Sequence, residues 1–373
     1  MSVFGTVLIS ITTLMHVYVF WRAASVPFVK RHVSLILLVA VGVILWALFF
    51  LGREVGHSGS GKTAFWLEMI GMTWMASLFL IFITLFAIDL VTLFGLLVSR
   101  LAPSLRGLAI LTGVIFSIIA MIQGMRPPVV QRYDVILPGL PSELDGKVLV
   151  GTSDMHIGNL LGKRWLAARI EQIQAQRPDL IVLIGDIVEG HGEPHEELLP
   201  VFRRLSAPLG VWAVSGNHEF HGRRGNGMHL FEEAGFHVLQ NRWAEVRPGF
   251  IMAGVDDLTS RRRSGRMGDP VPEALSGRPP GATIFLSHTP WEAEKAAQAG
   301  VGLMLSGHTH GGQIWPFSYL TRLVYPLLGG RYNVDGMTVI VCRGTGTWGP
   351  RMRLWRPGEI IRVTLRRGPL QTP

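Results

Sequence analysis

Two rhythms of apolar residues divide this chain. Up to residue 126 they come in long unbroken runs: Val3–Phe20, Val33–Leu51, Ile70–Val98 and Leu108–Ile122. A helix needs about 20 residues to cross the hydrocarbon core of a bilayer, so the first three runs predict membrane spans. The fourth is shorter, but Arg106 and Arg126 flank it and can reach the interfaces with their charged ends. Four spans are therefore expected. A cleaved leader is the competing reading of the first run. The absence of Lys or Arg before it, and of a small-residue cleavage site, argues against that reading.

Beyond residue 146 the rhythm changes to short runs, each stopped by Gly, Ser, Asp or Asn. Val148–Val150, Leu180–Ile184, Val211–Val214, Thr283–Leu286 and Leu303–Leu305 read as buried strands. Arg164–Gln176, with Trp165, Ala168, Ile170 and Ile173 on one face, reads as a helix ended before Pro178. Trp291–Ala299 is a second helix, stopped by Gly300. Alternating strands and helices predict an α/β domain over 147–373, behind a membrane region at 1–126. The connector between them, 127–146, is rich in proline, with an extended strand around Tyr133–Leu137.

Charge follows the same division. The first 126 residues carry only eight basic and three acidic side chains, within a whole-chain net charge of +9. A basic chain can signal a nucleic-acid partner. Here much of the excess borders apolar runs and reads as membrane-flanking charge, so nucleic acid is not expected and membrane lipids are. Arg22, Lys30, Arg31, Arg100 and Arg106 fall on one side of the spans, and Arg53, Lys62, Arg126 and Arg132 on the other. Because the first helix is followed by its charges, the N-terminus and the α/β domain are expected outside the cytoplasm. The single cysteine, Cys342, excludes an internal disulfide and a cysteine-rich zinc module. Asp89, inside the third run, is read as lying at headgroup level rather than as an intramembrane functional acid.

All five short runs lead into metal-ligand residue types. They give Asp154 and His156, Gly185-Asp186, Gly216-Asn217-His218-Glu219, Ser287-His288, and Gly307-His308-Thr309-His310-Gly311-Gly312. In open α/β sheets this end of the strands is where ligands bind. A single histidine after a strand is ordinarily a hydrogen-bonded surface or core residue, but the ordered set is not explained by packing. Nitrogen and oxygen ligands together suit manganese, iron or zinc better than calcium.

In these motifs the chain resembles the calcineurin-like metallophosphoesterases, from about Lys147 to Leu365, and in particular a membrane-anchored bacterial branch. Gly311-Gly312-Gln313-Ile314 through Tyr325, and Arg343-Gly344-Thr345-Gly346-Thr347 through Ile360, carry the likeness to that branch. The resemblance implies two packed mixed β-sheets flanked by helices, and two divalent metal ions. Asp154, His156, Asp186 and His310 would hold one ion, and Asp186, Asn217, His288 and His308 the other. Asp186 would bridge ions about 3.5–4 Å apart. A water-derived nucleophile would attack phosphorus in line, with His218 protonating the leaving oxygen. Glu219 fits the family pattern after the Asn-His pair, whereas Phe220-His221 departs from it in part.

The expected function is a membrane-anchored phosphohydrolase acting on a phosphoester or pyrophosphate bond, with a phosphorylated lipid or lipid-linked substrate favoured. A phosphate-binding sensor or transporter, and a nuclease, are the alternatives. His191, His195, His221, His229 and His237 read as loop or helix-face residues. Arg223 and Arg224 are candidates for phosphate or headgroup contact, and Arg261, Arg262, Arg263 and Arg266 for a solvated loop or anionic lipid. Ile314–Leu328, apolar apart from Arg322, reads either as a hydrophobic lip for an acyl tail or as core beneath a loop.

Overall fold

Alternate side chains of Leu180–Ile184 face opposite ways, and both ways are buried. Leu180, Val182 and Ile184 join one apolar core, while Ile181 and Leu183 join another. A strand covered on both faces carries a continuous apolar run. The computed structural model describes residues 3–56, 59–189, 195–220, 227–265 and 268–368. Among them the strands are β1 (Val129–Pro138), β2 (Val148–Thr152), β3 (Leu180–Ile184), β4 (Val211–Val214), β5 (His237–Val238) and β6 (Arg242–Arg247). They continue as β7 (Phe250–Gly254), β8 (Ala282–Leu286), β9 (Leu303–Ser306), β10 (Gly330–Val334), β11 (Met337–Val341) and β12 (Glu359–Gly368).

These strands make two six-stranded sheets, ordered β1-β12-β2-β3-β4-β5 and β10-β11-β9-β8-β7-β6. Both are mixed. The run β2 to β5 is parallel, as are β7, β8, β9 and β11, while β12 meets β2, β10 meets β11 and β6 meets β7 antiparallel. One core fills the space between the sheets, from Leu149, Val182 and Val214 to Ile284, Leu303 and Ile340. Helices Lys163–Gln174, His195–Phe202 and Met228–Glu233 pack on the outer face of the first sheet. Leu258–Arg263, Pro270–Leu275 and Ala293–Gln298 pack on that of the second.

Several local expectations change. Helix Lys163–Gln174 buries Leu166, Ile170 and Ile173, while Trp165 is half-buried beneath the Arg169 guanidinium. Helix Ala293–Gln298 starts later than Trp291 because Glu292 takes a left-handed φ of 61°; Trp291 stacks on Tyr325 instead. The arginine run is helical, not a solvated loop: Arg261 pairs with Glu273 and Arg262 lies over Trp291. His229 pairs with Glu233, and His237 stacks on Trp212. His191, His221, Arg223, Arg224 and Arg266 lie outside the described residues, as do the side chains of His195 and Phe220. The connector 127–146 contributes β1, which pairs with β12 along its whole length.

The helical unit reaches Met125, and Gly349–Leu354 groups with it. Among its described residues, four helices are long and apolar enough to cross a membrane: Gly5–Ala23, Leu35–Gly56, Gly61–Val91 and Ala102–Met125. The third begins and ends earlier than the apolar run Ile70–Val98. Leu93, Phe94 and Gly95 take positive φ angles of 47°, 56° and 95° and break it. Asp89, in its last turn, is fully buried. One carboxylate oxygen lies 2.6 Å from Arg22 Nε and accepts from the Tyr18 hydroxyl at 2.5 Å, and the other accepts from Arg106 Nε at 2.9 Å. Arg106 also donates to the Phe94 carbonyl at 3.0 Å. One acid thus ties together helices Val3–Ala23, Gly61–Val91 and Ala102–Met125.

Candidate metal centre

Parallel strands bring their C-terminal ends to one edge, and the candidate ligands sit there. Asp154 and His156 follow β2, Asp186 follows β3, and Asn217 and His218 follow β4. His288 follows β8, and His308 and His310 follow β9. Asp154, His156, Asp186, His308 and His310 all have left-handed backbones, with φ from 50° to 70°. Such a conformation costs a non-glycine residue about 1–3 kcal/mol and persists only where the surroundings over-determine it. Here they do. Asp154 N–H donates to the Gly185 carbonyl and His156 N–H to the Asp186 carbonyl, both at 3.0 Å.

A buried carboxylate ties two of these turns together. Glu219 accepts from the N–H groups of Asp186 (2.9 Å), Ile187 (2.7 Å), Val188 (3.2 Å) and Gly216 (2.7 Å). The turns after β3 and β4 therefore share one anchor. Gly307 serves a third turn: a Cβ there would strike Ser153 Oγ and the Asp154 carboxylate.

The candidate ligand atoms fall into two clusters. In one, Asp154 Oδ1 lies 3.3 Å from His310 Nε2 and 3.9 Å from His156 Nε2, and the two Nε2 atoms are 3.0 Å apart. In the other, Asp186 Oδ2 lies 3.1 Å from His288 Nε2, which is 3.3 Å from His308 Nδ1. The same Asp186 oxygen is 4.0 Å from His156 Nε2, so this carboxylate reaches both clusters. Its other oxygen accepts from His218 N–H at 2.8 Å, which places the Asn217-His218 turn against it.

This arrangement fits cations. Donors each about 2.0–2.2 Å from one ion stand roughly 3–4.3 Å apart, the range found here. Asp154 Oδ1 and Asn217 Oδ1 are buried with no hydrogen bond, although buried polar atoms are normally paired. Asp154 Oδ2, by contrast, is satisfied by the Ser153 hydroxyl and His308 N–H. The electrostatics agree. Burial opposes the charge of Asp154 and Asp186, yet His310 beside the first and His288 beside the second hold both well below the usual carboxylate range. His288 is likewise buried, but Asp186 raises it well above an ordinary imidazole. Burial and the neighbouring His288 push His308 down to about 4.

Around the ligands lies a ring of orienting groups. His288 Nδ1 sits 2.7 Å from the Ile184 carbonyl and His308 Nε2 2.8 Å from the Tyr325 hydroxyl, so the opposite nitrogen of each ring faces the site. Glu189 holds two histidines, His156 Nδ1 at 2.5 Å and His218 Nδ1 at 2.7 Å. Burial opposes the His218 charge, but Glu189 and then Asp186 raise its pKa to about 10. Glu189 and the hydroxyl of Tyr325 are the functional groups the sequence reading missed. Glu189 follows Asp186 by three residues, but its place beside His156 comes from Ile157 and Val188 bridging in parallel, which no local spacing reveals.

Comparison with known proteins agrees with the geometry. A family model described as calcineurin-like phosphoesterase matches residues 148–312. An uncharacterized metallophosphoesterase of Aquifex aeolicus is 32% identical over 240 residues, covering 64% of this chain and 91% of that protein. A transmembrane protein with metallophosphoesterase domain of Danio rerio is 28% identical over 358 residues, 90% of this chain and 80% of that one. A further uncharacterized metallophosphoesterase, of Campylobacter jejuni, is 28% identical over 312 residues, 81% and 82% of the two chains. The chain belongs to the calcineurin-like phosphoesterase family and is a metal-dependent phosphoesterase.

Proposed function

We propose that this protein is a membrane-anchored phosphohydrolase that cleaves a phosphoester or pyrophosphate bond of a lipid or lipid-linked substrate, outside the cytoplasm. Asp154, His156, Asp186 and His310 would hold one divalent ion, and Asp186, Asn217, His288 and His308 a second, of the manganese, iron or zinc class. Bound there, such ions supply charge to the phosphoryl oxygens and lower the pKa of water. The chain's own groups do the rest. Asp186 is shared between the two ligand clusters and fixes their spacing. His218, with Nδ1 turned to Glu189, presents Nε2 as the nitrogen that can give a proton to the leaving oxygen. Its raised pKa keeps that proton available at neutral pH.

The observation that carries the catalytic reading is the convergence of Asp154, His156 and His310, and of Asp186, His288 and His308, with the buried Asp154 Oδ1 left without a hydrogen bond. The lipid preference is supported by the four apolar helices. Anchoring confines the enzyme to a thin layer and raises its effective concentration for membrane-borne substrates. The test is turnover by detergent-purified full-length chain of an aryl phosphodiester and a panel of lipid phosphates and nucleotide-lipid pyrophosphates. Activity should require added metal and vanish in Asp186→Asn. Well-folded, metal-loaded protein that turns over none of them would favour a phosphate-binding sensor. Labelling of a Glu171→Cys variant by an impermeant thiol reagent in intact cells checks the sidedness; protection from the reagent would place the site in the cytoplasm.

A further inference from the structure

Helix Phe317–Val324 is built inside out. Its apolar side chains Phe317, Tyr319, Leu320, Leu323 and Val324 are all exposed, from 49% for Phe317 to 81% for Leu323, whereas Ser318 is buried. A surface helix of a soluble domain shows the reverse. Within the segment Ile314–Leu328, the end residues Ile314 and Leu328 are buried core, while the helix between them turns its apolar side chains outward. The helix meets the domain through its small residue. Ser318 lies against Gly312, where a Cβ would strike its backbone, two positions from the ligand His310. At the other end of the helix, the Tyr325 hydroxyl is 2.8 Å from Nε2 of the ligand His308.

We infer that helix Phe317–Val324 inserts into the interfacial layer of the lipid bilayer and holds the metal centre at the membrane surface. This rests on the reading of a membrane-bound hydrolase. Contiguous exposed apolar side chains mark an interaction surface, and three observations select lipid as the occupant. The same chain carries four helices of membrane-crossing length. Only Arg126, Pro127 and Pro128 separate the last of them from β1 along the chain, so the connector is short. The helix also has interfacial chemistry: aromatic Phe317 and Tyr319, aliphatic Leu320, Leu323 and Val324, and Arg322 as its sole charge. A headgroup phosphate could then meet the site without leaving the membrane.

The test uses the full chain in nanodiscs. Cys342 is the only native cysteine and is buried, so Leu323→Cys can carry a single polarity-sensitive fluorophore, with Glu171→Cys as an aqueous control. Lipids with a quencher high on the acyl chain should dim the Leu323→Cys label several-fold and leave the control unchanged. A Leu320→Ser/Leu323→Ser variant should lose about tenfold or more in turnover of a long-chain lipid phosphate while keeping that of a soluble aryl phosphate. A label at position 323 as aqueous as the control would overturn the inference, even if lipid phosphates are hydrolysed. Quenching that tracks protein density instead of quencher lipid would assign the face to a second copy, and also overturn it. Quenching by lipid without hydrolysis of any lipid phosphate would leave the inference standing and remove the substrate reading.

Discussion

Glu189 shows how much one side chain outside the ligand set governs. It fixes the ring of a candidate ligand, His156, and of His218, the proposed proton donor. Glu189→Gln should lower metal affinity or activity about 10–100-fold, as loss of an orienting group commonly does. It should also change the pH profile in a definite direction. His218 is raised to about 10 against burial, with Glu189 the first of the acids responsible. Its proton is held below that pKa and lost above it, so removing the carboxylate should move the alkaline limb of kcat/KM to lower pH. An unmoved limb would show that His218 does not supply the proton. The seven candidate ligands were picked out in the sequence because each stands where an apolar run stops. Glu189 and the Tyr325 hydroxyl were not, since both reach the site through tertiary pairing.

Among elements, the clasp at the end of helix Gly61–Val91 is the clearest case of chemistry overriding hydropathy. The apolar run continues to Val98, but the helix stops at Val91 because the backbone reverses at Leu93–Gly95 and Arg106 donates to the Phe94 carbonyl there. Asp89 is less a headgroup contact than a joint between three helices. Asp89→Ala would leave Arg22 and Arg106 buried without their partner. The expected cost is about 3–5 kcal/mol, read as an earlier midpoint when the full chain is unfolded by denaturing detergent. A change below about 1 kcal/mol would mean that water already reaches the two arginines. Hydropathy found these helices and misplaced the end of the third, where Asp89, Arg22 and Arg106 meet from positions far apart in sequence.

For the whole molecule, the two units should respond differently to metal. Ions bound only by the folded α/β unit stabilise it by about 2.7 kcal/mol at a free concentration one hundred times the dissociation constant. A chelator should therefore lower the unfolding temperature of that unit and leave the transition of the helical unit in place, as followed by calorimetry. A shift of both together would mean that they unfold as one. The division near residue 126 was visible in composition, whereas the membership of β1 in the first sheet was not, because its partner β12 lies more than 200 residues on. That pairing bears on how the protein is made. In the first sheet β12 lies between β1 and β2, so the strand nearest the membrane anchor has no neighbour until residues 359–368 have been synthesised. Through most of translation β1 is therefore a lone strand with unpaired backbone groups, the kind that pairs with whatever strand arrives first.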